Sequence, residues 1–155
     1  MIDRPMPALR ARLAAAADSA DIFEWRNDEQ TRAASRSSKP VARDQHDRWF
    51  ADVLADELRR LYIVETTDKS EPVGMCRFDA EEGGTTEVSI NLNPAFRGRG
   101  FSVAVLETAI ETFRDGGRRP ITATIRPSNS ASIRLFEHAG FRLTESTPEF
   151  NTYLL

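Results

Sequence analysis

The sequence contains one cysteine, Cys76, and two histidines. A single cysteine excludes an internal disulfide and any metal cluster held by several thiolates, and we expect Cys76 to be a small buried residue on a strand. A large excess of positive charge is also lacking, because the formal net charge is -3 at pH 7. This balance argues against a protein that binds nucleic acid by bulk electrostatic attraction.

Long apolar runs are absent as well. The alanine-rich segment LAAAAD, residues 13–18, is too short and too soon interrupted by charge to be a signal sequence or a membrane span. No repeat, low-complexity segment or linker divides the 155 residues. We therefore expect a single domain over residues 1–155, located in the cytoplasm, with no membrane partner.

Hydrophobic periodicity predicts a series of strands and helices. Strands are expected over residues 8–14, 61–66, 72–80, 87–92, 121–125, 141–145 and 150–155. Helices are expected from residue 18 or 19 to 25, and over 43–55, 102–114 and 129–139, whereas residues 26–40 are polar and predicted to be irregular. This order predicts a mixed α/β domain around one central sheet of about six or seven strands, flanked by about four helices.

The stretch FRGRGFS, residues 96–102, joins a predicted strand to a predicted helix. Free backbone N–H groups and the helix dipole favour an anion at such a helix N-terminus. Gly98 and Gly100 would let a phosphate approach the backbone, and Arg97 and Arg99 add positive charge. The stretch is a candidate pyrophosphate cradle, although a tight turn with surface arginines would have the same sequence pattern.

Two better-known phosphate motifs do not match this stretch. A P-loop has a lysine and then a serine or threonine after its second glycine, where this chain has Phe101 and Ser102. A dinucleotide fingerprint has a third glycine, and position 103 is Val103. The chain is therefore predicted to hold phosphate by another arrangement.

Two motifs, in order, resemble those of the GNAT superfamily of acyl-CoA-dependent N-acetyltransferases. The R/Q-x-x-G-x-G/A signature of that family matches Arg97, Gly98, Arg99, Gly100, Phe101 and Ser102. The second motif, NSASIRLFEHAGF at residues 129–141, is similar to the family's N-x-x-S-x-x-L-Y/F-x-x-x-G-F helix. Two spaced motifs are more specific than either alone, and the strand order of nearly the whole chain agrees with the family.

The resemblance implies a GNAT fold and acetyl-CoA as the cosubstrate. No cluster of His, Cys and carboxylates has metal-ligand spacing, so no metal is expected. A neutral amine would attack the thioester directly, and the backbone of the strand at Ile90, Asn91 and Leu92 would supply donors to the tetrahedral oxyanion. The residues that the resemblance assigns to acetyl-CoA are these three with Arg97, Gly98, Arg99, Gly100, Phe101, Ser102, Asn129, Ser132 and Phe136.

The chain departs from the family pattern at two positions. Ser102 stands where glycine or alanine is usual, and a serine is small enough to keep the cradle. Phe136 stands where many members have a tyrosine whose hydroxyl protonates the departing thiolate. Three alternatives follow: another group supplies the proton, the thiolate leaves without a dedicated acid, or the chain is a non-catalytic acyl-CoA-binding regulator.

The general base is predicted to be Glu87, on the same strand as Ile90, where several family members have an acidic residue. A structural ion pair or a solvated carboxylate at the strand end is the alternative for Glu87. His46 is the rival base, although its spacing to Trp49 and Phe50 also suits a packing histidine. His138 is expected to be exposed.

The acceptor is predicted to bind among Trp25, Arg26, Asn27 and Trp49, on the first two predicted helices. This pattern resembles the acetyltransferases of nucleotide-linked amino sugars, including those of the pseudaminic-acid pathway, and less specifically those of ribosomal-protein N-termini. Arg26 and Arg32 could pair with phosphates and the tryptophans could stack on a base or sugar. Both tryptophans could equally be core anchors. The expected partner is a small-molecule amine and not a nucleic acid, and a homodimer is among the possible assemblies.

Overall fold

The computed structural model describes residues 5–35 and 37–155, which form seven β-strands and five α-helices. In chain order the elements are β1 Leu9–Leu13, α1 Ser19–Asn27, α2 Glu29–Ala34, α3 Arg43–Ala55, β2 Arg59–Thr66, β3 Pro72–Ala80, β4 Thr86–Leu92, α4 Phe101–Phe113, β5 Ile121–Ile125, α5 Ser130–His138, β6 Arg142–Ser146 and β7 Asn151–Leu154. Short 3-10 turns precede α1 and α4 and follow α4.

All seven strands belong to one sheet, in the order β1-β2-β3-β4-β5-β7-β6. Neighbouring strands are antiparallel except β4 and β5, which are parallel. The β4–β5 register contains only Thr86 with Ile121 and Glu87 with Thr122. Because β4 continues to Leu92, the two strands separate beyond Glu87 and leave an opening in the middle of the sheet.

The sheet is covered on both faces, which explains why residues 61–66 of β2 are all buried. On one face, Val105, Leu106, Ala109 and Ile110 of α4 are buried in a cluster that also contains residues of β2, β3, β4, β5 and α5. On the other face, α1 and α3 pack against alternate residues of β2 and β3 in a second cluster: Ile22, Trp25, Phe50, Val53, Leu61, Ile63 and Met75.

The predicted fold class is confirmed, and the helix over 43–55 and the strands over 72–80 and 121–125 have the predicted bounds. Cys76 is fully buried on β3, as expected. Leu54 lies at helical spacing with the apolar residues of α3, yet it is 42% exposed.

The prediction that residues 26–40 are irregular is wrong for α2. This helix has six residues and none of them is buried, so it carries no apolar periodicity that the sequence could reveal. Asp28 caps it by accepting a hydrogen bond from the backbone N–H of Thr31 at 3.1 Å. The first helix also continues past residue 25 to Asn27. No helix within the described ranges is long and apolar enough to cross a membrane.

Candidate active site

A cleft of about 740 Å³ opens where β4 and β5 separate. Its walls come from α1, α2, the segment after α2 and the start of α3, from β3, β4 and β5, and from α4 and α5. The cleft therefore reaches both faces of the sheet through the gap between the two parallel strands. A long substrate and a second, smaller one could meet in such an opening.

Ile90, Asn91 and Leu92 line this cleft. They lie beyond the last residue of β4 that pairs with β5. On the opposite edge of β4, the same three residues pair with β3. Backbone groups on the β5-facing edge consequently have no ladder partner in β5 and are open to a bound molecule. Open backbone donors are what an oxyanion requires, so the role that the family resemblance implies for this strand stays a prediction.

The glycine-rich turn before α4 adopts the conformation that a phosphate cradle needs. Gly98 and Gly100 have positive φ values of 70° and 78°, and Gly100 is the left-handed N-cap of α4, with no side-chain cap on the helix. An added Cβ at Gly98 would meet nothing within 4 Å. Gly100 has no side chain that could cap the first N–H groups of α4, which leaves room for an anion to approach them. Phe101 is buried, and Ser102 lines the cleft.

The two arginines of this turn have protein partners. The Arg97 guanidinium forms an ion pair with Asp28 and donates to the hydroxyl of Thr31 at 2.8 Å. It lines the cleft and at the same time ties the turn to the start of α2. The pKa of Asp28 is lowered mainly by this hydrogen bond with Arg97. The Arg99 guanidinium lies over the rings of Phe96 and Phe101, 5.1 and 5.3 Å from their centroids.

The second motif places its residues at the start of α5. Asn129 caps this helix by accepting a hydrogen bond from the N–H of Ser132 at 3.1 Å, and both residues line the cleft. Phe136 also lines the cleft but is only 3% exposed, and its ring packs edge to face on Phe141. Phe136 has no hydroxyl group, and the hydroxyl groups among the described lining residues belong to serines and threonines, including Ser102, Ser132 and Thr124.

Glu87 lies at the point where β4 and β5 separate, and it lines the cleft. Its Oε2 accepts a hydrogen bond from the Thr124 hydroxyl at 2.9 Å. It is the one carboxylate among the described residues that line the cleft. The position therefore combines a fixed orientation with access to the opening in the sheet.

His46 is placed differently. It is 0% exposed, lies outside the described lining of the cleft, and stacks on Phe50. Its Nε2 is 3.0 Å from Oγ and 3.1 Å from the carbonyl oxygen of Ser19, while Nδ1 has no hydrogen-bond partner among the described residues. Burial lowers the pKa of His46. These features fit the packing alternative better than the role of a base. His138 is exposed, as expected.

The four predicted acceptor residues do not share one surface. Trp25 is 4% exposed inside the second core cluster, so its ring has no free face for a ligand and fits the alternative of a core anchor. Asn27 exchanges two hydrogen bonds with the backbone of Val41 and so fixes the segment that follows α2. Arg26 lines the cleft. Trp49 is half-buried and lies beneath the Arg26 guanidinium.

Arg77 lines the cleft from β3 and was not among the residues predicted from the sequence. Its guanidinium lies 5.5 Å from the centroid of the Trp49 ring. A charged residue in the middle of the apolar strand PVGMCRFDA was the signal that could have identified it. Within the described residues, no group of three or more His, Cys, Asp or Glu side chains could hold a metal ion.

Residues 9–142 match the sequence model of the family described as Acetyltransferase (GNAT) domain. YwnH of Bacillus subtilis, which bears the name of a phosphinothricin acetyltransferase, is 29% identical over 116 residues, 72% of this chain and 69% of YwnH. The L-methionine sulfoximine/L-methionine sulfone acetyltransferase of Salmonella typhimurium is 35% identical over 65 residues, 42% of this chain and 38% of that protein.

Solved structures agree on the fold. The spermidine N-acetyltransferase of Vibrio cholerae, solved in complex with CoA and spermine, superposes with a TM-score of 0.80 at 16% identity, over 94% of this chain and 92% of that chain. The glycine cradle, the open β4 edge and the α5 motif are compatible with acetyl-CoA in this chain. The chain belongs to the GNAT acetyltransferases, enzymes that transfer an acetyl group from acetyl-CoA to an amine.

Proposed function

We propose that the chain acetylates the primary amine of a small molecule in the cleft between β4 and β5, with Glu87 as the general base. The observation that supports this assignment best is the position of Glu87 at the last paired residue of β4, beside the opening. An ammonium group has no lone pair, so a carboxylate at this point could accept the proton that the amine must lose. Acetyl-CoA supplies the acetyl thioester.

The other residues have roles that follow from their positions. The free N–H groups at the start of α4 would bind the pyrophosphate, and the backbone of Ile90, Asn91 and Leu92 would stabilise the oxyanion. The phenylalanine at position 136 cannot donate a proton to the departing thiolate. Because a thiolate is only moderately basic, we propose that it leaves without a dedicated acid, or with a serine hydroxyl of the cleft.

Three acceptor classes are candidates. The sequence favoured an amino sugar nucleotide, and the presence of Arg26 and Arg32 in the cleft supports it, whereas the buried Trp25 offers it no stacking surface. The named acceptors of the two relatives favour an amino-acid type of amine, since L-methionine sulfoximine carries an amine beside a carboxylate. A protein N-terminus is a third class, which Arg26 would not favour. A cytoplasmic location fits all three.

A side-by-side assay tests the function and separates the classes. Release of free CoA thiol from acetyl-CoA is followed with amino sugar nucleotides, with amino acids and with N-terminal peptides. We expect amine-dependent release with at least one of the two small-molecule classes, and an N-acetylated product by mass spectrometry. Preference for peptides would overturn the proposal, as would acetyl-CoA binding without release for any amine, which is the behaviour of a regulator.

A further inference from the structure

Two guanidinium groups meet at one indole ring in the acceptor part of the cleft. Arg26 comes from α1 and Arg77 from β3, and their Cζ atoms are 4.9 and 5.5 Å from the centroid of the Trp49 ring. Both arginines line the cleft. Because Arg26 and Arg77 lie far apart in the sequence, the fold brings them together and not the local sequence.

Only one of these two charges has a carboxylate partner among the described residues, since Arg77 forms an ion pair with Asp79. Arg77 is bonded to Asp79 through Nε, at 2.9 and 3.1 Å, so its terminal nitrogens are not part of that bond. Arg26 forms no ion pair with any carboxylate in the described part of the chain. Burial, and then repulsion by Arg77, lowers the pKa of Arg26. Partial burial of like charges is unfavourable unless an anion offsets it.

We propose that Arg26 and Arg77 form the binding site for an anionic group of the acceptor, so that the acceptor is a small amine that also carries a carboxylate or a phosphoryl group. The inference rests on the proposed function, and it names the acceptor class of that same cleft. Guanidinium groups bind two oxygens of one anion particularly well. The same two charges would repel a polycationic amine.

The register of β3 and β4 places the proposed base and Arg77 on the same face of the sheet. Arg77 lies opposite Ser89, and Glu87 is two residues along β4 on the same face of the sheet. Diagonal neighbours of this kind are about 7–8 Å apart between their Cα atoms. An amine at Glu87 and an anion at Arg26 and Arg77 can therefore belong to one small molecule.

Matched acceptor pairs test the proposal. Each α-amino acid that is acetylated is compared with its uncharged amide, and each amino sugar phosphate with the free amino sugar. We expect the anionic member to have the higher kcat/KM, by about 30-fold or more, which is the scale of removing one partner from a close charge pair. The series that shows the larger preference for its anionic member identifies the natural anion as a carboxylate or as a phosphoryl group.

The variant Arg26→Met keeps an apolar stem against Trp49 and removes the charge. It should raise the KM of the anionic acceptor, leave the KM of acetyl-CoA unchanged and abolish the preference within each pair, and Arg26→Lys should restore part of it. The control is Arg43→Met, because Arg43 also lies over an aromatic ring, that of Phe23, but outside the described lining of the cleft. Equal rates for both members of a pair, or an equal effect of Arg26→Met on both, would overturn the inference.

A binding measurement keeps this test separate from the proposed function. With CoA saturating its own site, inorganic phosphate is titrated while tryptophan fluorescence is followed, since Trp49 lies under both guanidiniums and Trp25 is buried. Saturable quenching that Arg26→Met removes supports the anion site even if no amine in the assay is acetylated. The same titration curve in both proteins contradicts it, whatever the enzyme acetylates.

Discussion

At the scale of single residues, the cleft concentrates positive charge in a chain whose net charge is -3. Its described lining includes one carboxylate, that of Glu87, and these cationic residues: Arg26, Arg32, Lys39, Arg77 and Arg97. Acetyl-CoA carries several phosphate charges, and an anionic acceptor would add more. These cations therefore match the negative charge of both substrates. Glu87 is the carboxylate of the described lining that can accept a proton.

Glu87→Gln should lower turnover by about 10²-fold or more, because the amide keeps the shape and the contact with Thr124 but accepts no proton. The affinity for acetyl-CoA, measured by calorimetry, should change little. Glu81→Gln is the matched control. Glu81 accepts a hydrogen bond from Thr122, which lies on β5 as Thr124 does, but Glu81 lies outside the described lining of the cleft. Near-normal turnover of Glu87→Gln at neutral pH would show that a water chain or another group accepts the proton of the amine.

His46 should make the protein less stable in mild acid. Its folded-state pKa is lowered by burial from the ordinary value of 6.5, so the unfolded chain binds a proton first as the pH falls. The stability is full above about pH 6.5 and declines below it, by up to about 1.4 kcal/mol per pH unit. Urea unfolding at about pH 7.5 and pH 5.5 measures this, since the lowered pKa values of Asp18 and Asp28 act at more acidic pH.

The comparison variant for that measurement is His46→Gln, which cannot titrate. Its absolute stability can be lower, because His46 packs against Phe50, but the change in its stability between the two pH values should be smaller than in the wild type. An equal change in both proteins would show that another group is responsible.

At the scale of elements, the turn before α4 depends on backbone conformation more than on side chains. Gly100→Glu should abolish acetyl-CoA binding, because Gly100 is the left-handed N-cap of α4 and the new carboxylate would stand where the phosphates are expected. Gly84→Glu is the control: Gly84 has a φ of 88°, so the backbone strain is similar, but it lies in the turn between β3 and β4. Unchanged affinity in a folded Gly100→Glu protein would contradict the cradle.

The short helix α2 is held in place by polar contacts, because none of its residues is buried. Asp28→Asn keeps a good N-cap but removes the charge that binds Arg97. We expect faster hydrogen exchange over residues 29–35 and a higher KM for the acceptor, since Gln30, Thr31 and Arg32 line the cleft. Asp47→Asn, which breaks the exposed pair with Arg43, should change neither quantity. Unaltered exchange in Asp28→Asn would show that the helix is fixed by other contacts.

The elements differ in how far the sequence could predict them. Strands with clear alternation and the helix over 43–55 were predictable, because each buries an apolar face whose period is visible. The two motifs were local in sequence, so the cradle and the start of α5 could be located from residues alone. The pairing of Arg26 with Arg77, and of Arg97 with Asp28, depends on tertiary structure, and no local pattern encodes it.

At the scale of the whole molecule, the sheet has helices α4 and α5 on one face and α1 and α3 on the other, and the gap between β4 and β5 connects the two. We expect acetyl-CoA at α4 and α5, and the acceptor beside α1 and β3. In this arrangement the amine can attack the thioester directly. The thiol of Cys76 is fully buried and its pKa is raised by burial, so it is not available to carry an acetyl group.

The central claim is direct transfer between two substrates in one cleft, and the most direct test uses acetyl-CoA with and without an acceptor amine. Free CoA release and the intact mass of the protein are measured in the same samples. Direct transfer predicts an unmodified protein in both samples, and CoA release beyond the uncatalysed rate only when the amine is present. An acetylated protein in the absence of the amine, or CoA release that does not depend on the amine, would contradict it.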